Sequence, residues 1–376
     1  MKLGCAGVVV GVMFGCTRPN PEFCDTNTAC KNGQVCDLDT NRCAAARDAP
    51  ADDTSSSSDS PSTIDAKAAC VRELLFQRDG LFTGGQVYRI NLVDFVEHRV
   101  SNGVDVDIGP SWSPDGTRIA VTRNASTVWT IDPDGGNGHQ VDTQPDNFLL
   151  YPVWSHDGTR LAYEGDPKNG GLGQLYSAAV SGSSGINLTP GSDGEGPVEW
   201  SPDDSKILFV SRRTGNADVF KMSANGGNAV NLTNRAGNDG VEGPHWMHGG
   251  IDIVFGANHV WTAAADGSNL LNLTGTTGSE DHPVWSSDDK IYFVKDFSSS
   301  GLLYVMNSTG ANQHPLMNTQ RDGEPVPSPD GAMIAWVSGR DGNSEIYVAN
   351  SDGGNATRLT NNSAPDTFAR WRPCPP

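Results

Sequence analysis

The sequence has no long hydrophobic run and few basic residues. No stretch of about 18 consecutive apolar residues occurs, so no mature transmembrane helix is expected. Only 26 Lys and Arg stand against 45 Asp and Glu, which gives a formal net charge of −19. This balance argues against a nucleic-acid partner, because phosphates require a basic surface, and against adsorption to anionic lipid. The acidic excess favours solubility, and a second interpretation is attraction of basic peptides or cations.

Signatures of catalysis are missing as well. The sequence contains no G-x-S-x-G, H-E-x-x-H or P-loop motif, so it predicts no catalytic residues, no metal site of these types and no cofactor. Helix-favouring composition is poor, with 44 Gly, 23 Pro and only 19% charged residues. Gly and Pro at this level separate short strands by turns and indicate an all-β sandwich, barrel or propeller.

Residues 1–15 have the pattern of an export signal. Lys2 precedes an apolar run from Leu3 to Gly15, which is too short for a stop-transfer helix. The run ends directly before Cys16 and resembles a bacterial lipoprotein signal, in which the chain is cleaved before a cysteine that is then lipid-modified. The resemblance implies a signal peptide over 1–15, lipidation of Cys16 and a cell-envelope location, periplasmic or on the outer surface. Ordinary secretion and a misassigned start are the alternatives.

Residues 16–43 form a Cys-rich segment. Its closely spaced cysteines are Cys24, Cys30, Cys36 and Cys43. Four cysteines in so short an exported segment indicate two disulfides, for which three pairings are possible. Zinc is the alternative, although it prefers closer pairs and a reducing compartment. Residues 44–69, AAARDAPADDTSSSSDSPSTIDAKAA, are expected to be a flexible linker, because nothing in them can fill a core.

One motif, Pro-x-Trp followed by Ser-Pro-Asp-Gly, recurs through the rest of the chain. Its copies and remnants lie at residues 110–116, 152–158, 200–204, 244–246, 283–289, 325–331 and 370–371. The Trp position recurs every 39 to 46 residues, and Pro327 replaces the Trp in the sixth copy. Pro presets φ, Asp bonds to local backbone and Gly takes a positive φ in such a turn. An apolar strand follows each turn, and a second strand then carries an aromatic residue.

Repetition with this period favours a β-propeller. Two strands joined by such turns cannot bury their aromatic side chains alone, whereas a radial stack of four-stranded blades can. A sandwich would not explain so regular a period. The repeat resembles the TolB-type propeller repeat, a relative of WD-repeat blades, over residues 72–372.

The two ends of the repeat region predict how the ring closes. Strands near residues 74–90 lack a preceding Trp strand, and Trp371 lacks strands after it, so joining them gives a seventh blade. An apolar strand starts seven residues after the Trp, as Ile119 does after Trp112. By the same count, Cys70 and Cys374 each lie three residues after the Trp position of the joined blade. We therefore predict an all-β, seven-bladed propeller over residues 70–376, closed by a Cys70–Cys374 disulfide that contributes roughly 5 kcal/mol.

Acidic residues precede the repeat Trp position in every unit except that of Trp154. They are Asp107, Glu195, Glu242, Glu280, Asp281, Asp322, Glu324 and Asp366. Equivalent positions of propeller blades lie on one ring, so these acids are expected to encircle one mouth of the central channel. One interpretation is structural, with each carboxylate accepting backbone N–H groups from a neighbouring loop. The other is a negative funnel that binds a basic peptide or a metal ion.

The resemblance to TolB-type propellers implies a non-enzymatic binding role. TolB-type proteins act as periplasmic scaffolds for partner lipoproteins and envelope proteins. The propeller, expected to be monomeric, is therefore predicted to hold a protein or peptide partner over one face and to reach a membrane only through its lipid anchor. The sequence departs from TolB in its Cys-rich segment, which replaces an α/β domain, and in having seven blades rather than six.

Two other classes of function stay open. Some propellers cleave glycans or polyuronates with clusters of His and acidic side chains around the axis. A metal held by the acid ring and His282 would distinguish such an enzyme. A purely adhesive module would show no concentration of functional side chains at either mouth.

Overall fold

The computed structural model describes two parts of the chain. They comprise residues 34–37, 42–45 and 70–374, with gaps at 80–83, 171–172, 192–193, 242, 248, 276–277, 297–300 and 318–319. The signal-peptide interpretation of residues 1–15, lipidation of Cys16, and Cys24 and Cys30 lie outside the described residues. So does the predicted linker from residue 46 onward. No helix that could cross a membrane occurs in the parts that are described.

The N-terminal part contains a two-stranded antiparallel sheet. Its strands are Gln34–Asp37 and Arg42–Ala45. In the backbone register, Cys36 lies opposite Cys43. The side chains of this sheet are not described, so the disulfide pairing of the Cys-rich segment stays a prediction.

The second part is built from seven antiparallel sheets of four strands, which we number as blades 1 to 7. Blade 1 consists of Asp107–Trp112, Ile119–Arg123, Thr127–Ile131 and His139–Thr143. Blade 2 consists of Asn147–Trp154, Arg160–Pro167, Gln174–Ala179 and Ile186–Asn187. Blade 3 consists of Glu195–Trp200, Lys206–Ser211, Asp218–Ser223 and Val230–Asn231. Blade 4 consists of His245–Trp246, Asp252–Gly256, Val260–Ala264 and Leu271–Asn272.

The remaining three blades repeat this plan. Blade 5 consists of Glu280–Trp285, Lys290–Lys295, Leu302–Asn307 and His314–Pro315. Blade 6 consists of Asp322–Pro327, Met333–Ser338, Glu345–Asn350 and Thr357–Arg358. Blade 7 consists of Asp366–Trp371, Glu73–Arg78, Gln86–Asn91 and Glu97–Arg99. The prediction of an all-β, seven-bladed propeller is confirmed.

Blade 7 joins the two ends of the ring. Its first strand comes from the C-terminal end and its other three strands come from residues 73–99, with Leu74 paired to Trp371. The predicted Cys70–Cys374 disulfide is present, with 4.7 Å between the two Cα atoms and 304 residues between the cysteines. The spacing of seven residues from Trp to strand is also the backbone register of the intact blades, where Trp112 lies opposite Ile119.

The first strand of each blade lies nearest the central axis, because first strands of neighbouring blades contact each other around the ring. The repeat Trp side chains are buried between blades. Trp154 and Trp371 donate indole N–H bonds to the carbonyls of Ser111 and Val326 in the preceding blades, at 3.3 and 2.8 Å. Each buried side chain of this size contributes on the order of 2–3 kcal/mol through the apolar surface it removes from water.

Turns that begin Ser-x-Asp follow the first strands of blades 1, 2, 3, 5 and 6, and we call them Ser-Pro-Asp turns after their commonest form. In blade 2, where His156 replaces the Pro, the Ser155 hydroxyl donates to Asp157 at 2.6 Å and accepts the Arg160 amide at 3.0 Å. Gly158 takes a φ of +70°, as the turn requires. These local bonds give five blades the same connection between their first and second strands.

Candidate functional site

The first strands all begin at one end of the ring, which we call the acidic mouth. Five of the predicted acids are the first residues of their strands, namely Asp107, Glu195, Glu280, Asp322 and Asp366. The opposite end carries the Ser-Pro-Asp turns and is called the turn side. The repeat therefore places these five carboxylates at equivalent positions around the acidic mouth.

All five carboxylates are buried and paired with a basic side chain. The pairs are Asp107 with Arg123 at 2.7 Å, Glu195 with Arg213 at 2.9 Å, Glu280 with His259 at 2.8 Å, Asp322 with Arg340 at 2.7 Å, and Asp366 with Arg78 at 2.8 Å. Removing one member of such a pair leaves an uncompensated buried charge, which costs several kcal/mol. These groups hold the rim in place, and their predicted contact with a partner stays a prediction.

Blade 4 uses a different acid. The predicted Glu242 lies outside the described residues, but Asp239 is buried nearby and pairs with Arg235 at 3.3 Å. Arg235 also stacks over Trp261, 3.7 Å from the ring centroid. Burial raises the pKa of Asp239, against the lowering effect of Arg235. Sequence reasoning missed Asp239 because it precedes Trp246 by seven residues rather than four or five.

The other two predicted acids, Asp281 and Glu324, are partly exposed. The first strands of blades 5 and 6 have β-bulges between Asp281 and Val284 and between Gly323 and Val326. Glu324 accepts the Phe368 amide of blade 7 at 3.3 Å. Of the predicted acids that the structure describes, these two are the ones that a partner can reach.

The bulges place bulky residues in left-handed backbone conformations. The position three residues before the repeat Trp has a positive φ in Gly109, Tyr151, His282, Glu324 and Phe368, with values from +48° to +59°. Only Gly adopts this conformation freely, and other residues pay roughly 1–3 kcal/mol each. Bulges of this kind re-aim side chains and are common beside functional sites. The residue types at this position differ from blade to blade, so no repeating sequence signal identified them.

Two of these residues, from blades 2 and 7, form an aromatic pair next to the first strand of blade 1. The ring centroids of Tyr151 in blade 2 and Phe368 in blade 7 are 5.4 Å apart. Gly109 of blade 1 lies between them, and a Cβ at that position would lie 3.2 Å from the Tyr151 backbone nitrogen. Both rings are partly exposed. Three blades thus converge on one aromatic surface at the inner rim of the channel.

Charged groups surround this aromatic pair. Burial raises the pKa of Tyr151 to about 12, and the carboxylates of Glu164 and Glu324 add to the effect. Arg370 is solvent-exposed, but the protein that surrounds it lowers the pKa of its guanidinium, while Glu324 acts in the opposite direction. Tyr151, Glu324 and Arg370 therefore share one electrostatic environment.

The turn side has two shallow grooves. One, of about 430 Å³, lies between blades 3 and 4 and is lined by Asp203, Lys221 and Trp246. The other, of about 390 Å³, lies between blades 1 and 2 and is lined by Trp154 and His156. No group of three His, Cys, Asp or Glu side chains arranged to hold a metal ion occurs within the described part of the chain. The acidic mouth, where aromatic and charged side chains of several blades meet, is the strongest candidate site.

Comparison with known proteins agrees with the fold. Residues 152–324 match the family model of the TolB beta propeller domain. An uncharacterized protein of Agrobacterium fabrum is 26% identical over 206 residues, which cover 49% of this chain and 68% of the relative. The Protein TolB homolog of Chlorobium luteolum is 32% identical over 152 residues, 38% of this chain, and the match covers only 34% of that relative.

Among solved structures, an oligogalacturonate lyase in complex with manganese superposes with a TM-score of 0.62 at 16% identity. The superposition covers 74% of this chain and 85% of the lyase chain. Identity this low shows a shared fold and nothing about activity. The match of residues 152–324, the seven four-stranded blades and the closure of the ring together support a TolB-type β-propeller protein.

Proposed function

We propose that this protein is a non-enzymatic binding module of the cell envelope that holds a protein or peptide partner at the acidic mouth. The observation that carries the proposal is the partly exposed Tyr151–Phe368 pair at the inner rim, with Glu324 bonded to the Phe368 amide beside it. Aromatic side chains in a concave, partly apolar setting are typical anchors of protein interfaces. The neighbouring carboxylates favour a partner that presents basic residues.

The buried ion pairs support this proposal indirectly. Asp107, Asp366 and their Arg partners lie in blades 1 and 7, whose first strands contribute Gly109 and Phe368 to the aromatic surface. They keep the first strands of these blades in a fixed position, so the binding surface is preorganised before a partner arrives. We regard these acids as positioning residues and Asp281 and Glu324 as contact residues.

The envelope location rests on two further supports. The export-signal pattern ends at Cys16, where lipidation would anchor the chain, and the propeller is of the TolB type. The polar linker predicted over residues 44–69 would give the propeller reach from the membrane surface. The net charge of −19 favours electrostatic attraction of basic partners, which strengthens at low ionic strength.

The proposal is tested by affinity capture from envelope extracts with the full chain as bait. The variant Asp281→Asn/Glu324→Gln removes two charges at the acidic mouth. The matched control, Asp252→Asn/Asp289→Asn, removes two charges at the turn side. We expect a captured protein to fall at least about tenfold with the first variant and to be unchanged with the second. Equal capture by all three chains, or capture lost only with the control, would refute the acidic mouth as the binding site.

A further inference from the structure

Blade 2 has no counterpart of the buried ion pair that Asp107 and Arg123 form in blade 1. In blade 1, Asp107 lies opposite Arg123 in the backbone register, and the two side chains form a buried ion pair. The equivalent residues of blade 2, counted from its Trp, are Leu149 and Gly165, which also lie opposite each other. Neither carries a charge. The ring of buried ion pairs is therefore interrupted in this blade.

Two carboxylates flank Gly165 and point to the other face of its strand. Glu164 and Asp166 are two residues apart on one strand, so their side chains point to the same face of the sheet. Ala162 on that face packs in the core shared with blade 3. The Asp166 carboxylate lies against Gly173, whose carbonyl accepts the Glu195 amide of blade 3 at 3.0 Å. The two carboxylates thus lie at the junction of blades 2 and 3, near the acidic mouth.

Glu164 is buried without a partner. Its residue is only 7% exposed, and its Oε1 makes no hydrogen bond to any described residue. Neither Glu164 nor Asp166 has a Lys, Arg or His side chain of the described chain within ion-pair distance. A buried polar atom without a partner is costly and is rarely retained unless something satisfies it. This unsatisfied oxygen is the observation that points to a ligand.

The charged surroundings indicate what that ligand is. Burial raises the pKa of Glu164 to about 8, and the neighbouring Asp166 carboxylate adds to the effect. Burial also raises the pKa of Asp166. The other titratable groups around this junction are Tyr151 on the first strand of blade 2, with Arg370 of blade 7 beside it, and Glu195 on blade 3, whose carboxylate already bonds Arg213. The two carboxylates have no basic side chain of the described residues in an ion pair with them, so the site favours a positive charge.

We propose that Glu164 and Asp166 form a proton-coupled binding site for one organic cation, the ammonium of a lysine or the guanidinium of an arginine from the bound partner. This site rests on the proposed function, because the cation belongs to the partner held at the acidic mouth. Glu164 enters the complex as a carboxylic acid, transfers its proton to solvent and accepts N–H bonds as a carboxylate. Close to one proton leaves for each cation bound at pH 7.

The site is tested by calorimetric titration of the full chain with an acetylated, amidated trilysine peptide at pH 7. Running the titration in phosphate and in Tris, whose ionisation enthalpies differ, gives the number of protons released. We expect close to one proton for the natural chain and for Asp252→Asn/Asp289→Asn. We expect Glu164→Gln to bind at least about fivefold more weakly and to release none.

The outcomes separate this site from the proposed function. Trilysine binding without proton release, or equal release by Glu164→Gln, overturns the Glu164–Asp166 site and leaves binding at the mouth intact. Proton release with magnesium chloride but not with trilysine overturns the choice of an organic cation. Absence of any trilysine binding also overturns the site, and the capture experiment then decides the proposed function independently. A carboxyl ¹³C titration that gives Glu164 an ordinary midpoint near pH 4–5 contradicts the proton coupling.

Discussion

The buried acidic residues of this propeller differ in whether a basic side chain pairs with them. Asp107 is buried with Arg123 as its partner, whereas Glu164 is buried without one. The first arrangement stabilises the charged carboxylate, and the second favours the protonated acid. The contrast separates groups that maintain the rim from a group held ready for a ligand.

This contrast predicts an unusual stabilising substitution. The pKa of Glu164 is about 8 in the folded chain, above the ordinary value, so the folded state binds more protons between about pH 4.5 and pH 8. Stability contributed by the protonated acid is therefore present below that window and is lost as pH rises through it. Glu164→Gln should be more stable than the natural chain at pH 9, by a few kcal/mol, and nearly equal at pH 5. Chemical denaturation at both pH values measures the difference.

Asp107→Asn supplies the matched comparison. It makes the same change from acid to amide at a buried position, but it removes the close ion pair of Arg123 and leaves only the longer contact with Asp105 at 3.7 Å. We expect this variant to lose about 3–5 kcal/mol at both pH values. If Glu164→Gln and Asp107→Asn shift stability in the same direction at pH 9, the distinction between satisfied and unsatisfied acids is wrong.

The environment of single side chains is the feature that the sequence predicts least well. The sequence predicts a ring of acids, but their burial depends on basic residues elsewhere in the chain. Arg123 lies 16 residues after Asp107, and Arg213 and Arg340 lie 18 residues after Glu195 and Asp322. That recurrent spacing was a usable signal. Glu164 had none, because its burial depends on packing against blade 3, which no local pattern of the sequence encodes.

At the scale of elements, the Ser-Pro-Asp turn is the most predictable part of the fold. Its residues act through local hydrogen bonds, so the sequence of one turn contains nearly all the information that forms it. The β-bulges are the opposite case. Gly109, Tyr151 and Glu324 occupy the same bulge position with no shared chemistry, because the pairing register of two whole strands sets their backbone conformation.

The turn provides a prediction with a spectroscopic readout. A hydrogen bond from the Ser155 hydroxyl, followed by one from the Thr159 amide, lowers the pKa of Asp157. Ser155→Ala should raise that pKa towards its ordinary value and reduce stability by about 1–2 kcal/mol, because the Arg160 amide also loses its acceptor. The stabilisation by Asp157 is present at neutral pH and is lost as pH falls through its folded-state pKa.

Carboxyl NMR titration measures the Asp157 pKa directly. Asp203 is the internal control, because the equivalent turn of blade 3 lowers its pKa to about 2 through Ser201. The Asp203 value should not move in Ser155→Ala. An unchanged Asp157 pKa would show that the turn does not depend on this hydroxyl.

For the whole molecule, closure of the ring connects residues at opposite ends of the propeller sequence. The seven-blade count and the Cys70–Cys374 disulfide could be predicted because the repeat register applies equally to both chain ends. How side chains from different blades converge at the channel could not be predicted. The Tyr151–Phe368 contact joins residues more than 200 positions apart, and no local pattern encodes it.

The disulfide is expected to determine much of the stability of the ring. Cross-linking residues 304 positions apart restricts the unfolded chain, and its loss should cost about 5 kcal/mol. Cys70→Ser/Cys374→Ser should therefore unfold at lower denaturant concentration, while strand pairing between Leu74 and Trp371 keeps the seven-bladed fold. All nine Trp residues lie between residues 112 and 371, so tryptophan fluorescence reports on the propeller alone.

A reducing agent gives the matched control. It should lower the stability of the natural chain to that of the double variant and leave the double variant unchanged. If the reducing agent destabilises both chains equally, a different bond is responsible.

Site-specific photo-cross-linking decides whether a partner binds at the acidic mouth. A benzophenone amino acid is placed at Tyr151 in one full-length chain and at Asp289, on the turn side, in another, and both are irradiated with envelope extract. We expect one cross-linked protein from position 151, weakened by added salt and by Glu324→Gln, and no such product from position 289. The same product from both positions, or a product from position 289 alone, would show that the acidic mouth is not the binding site.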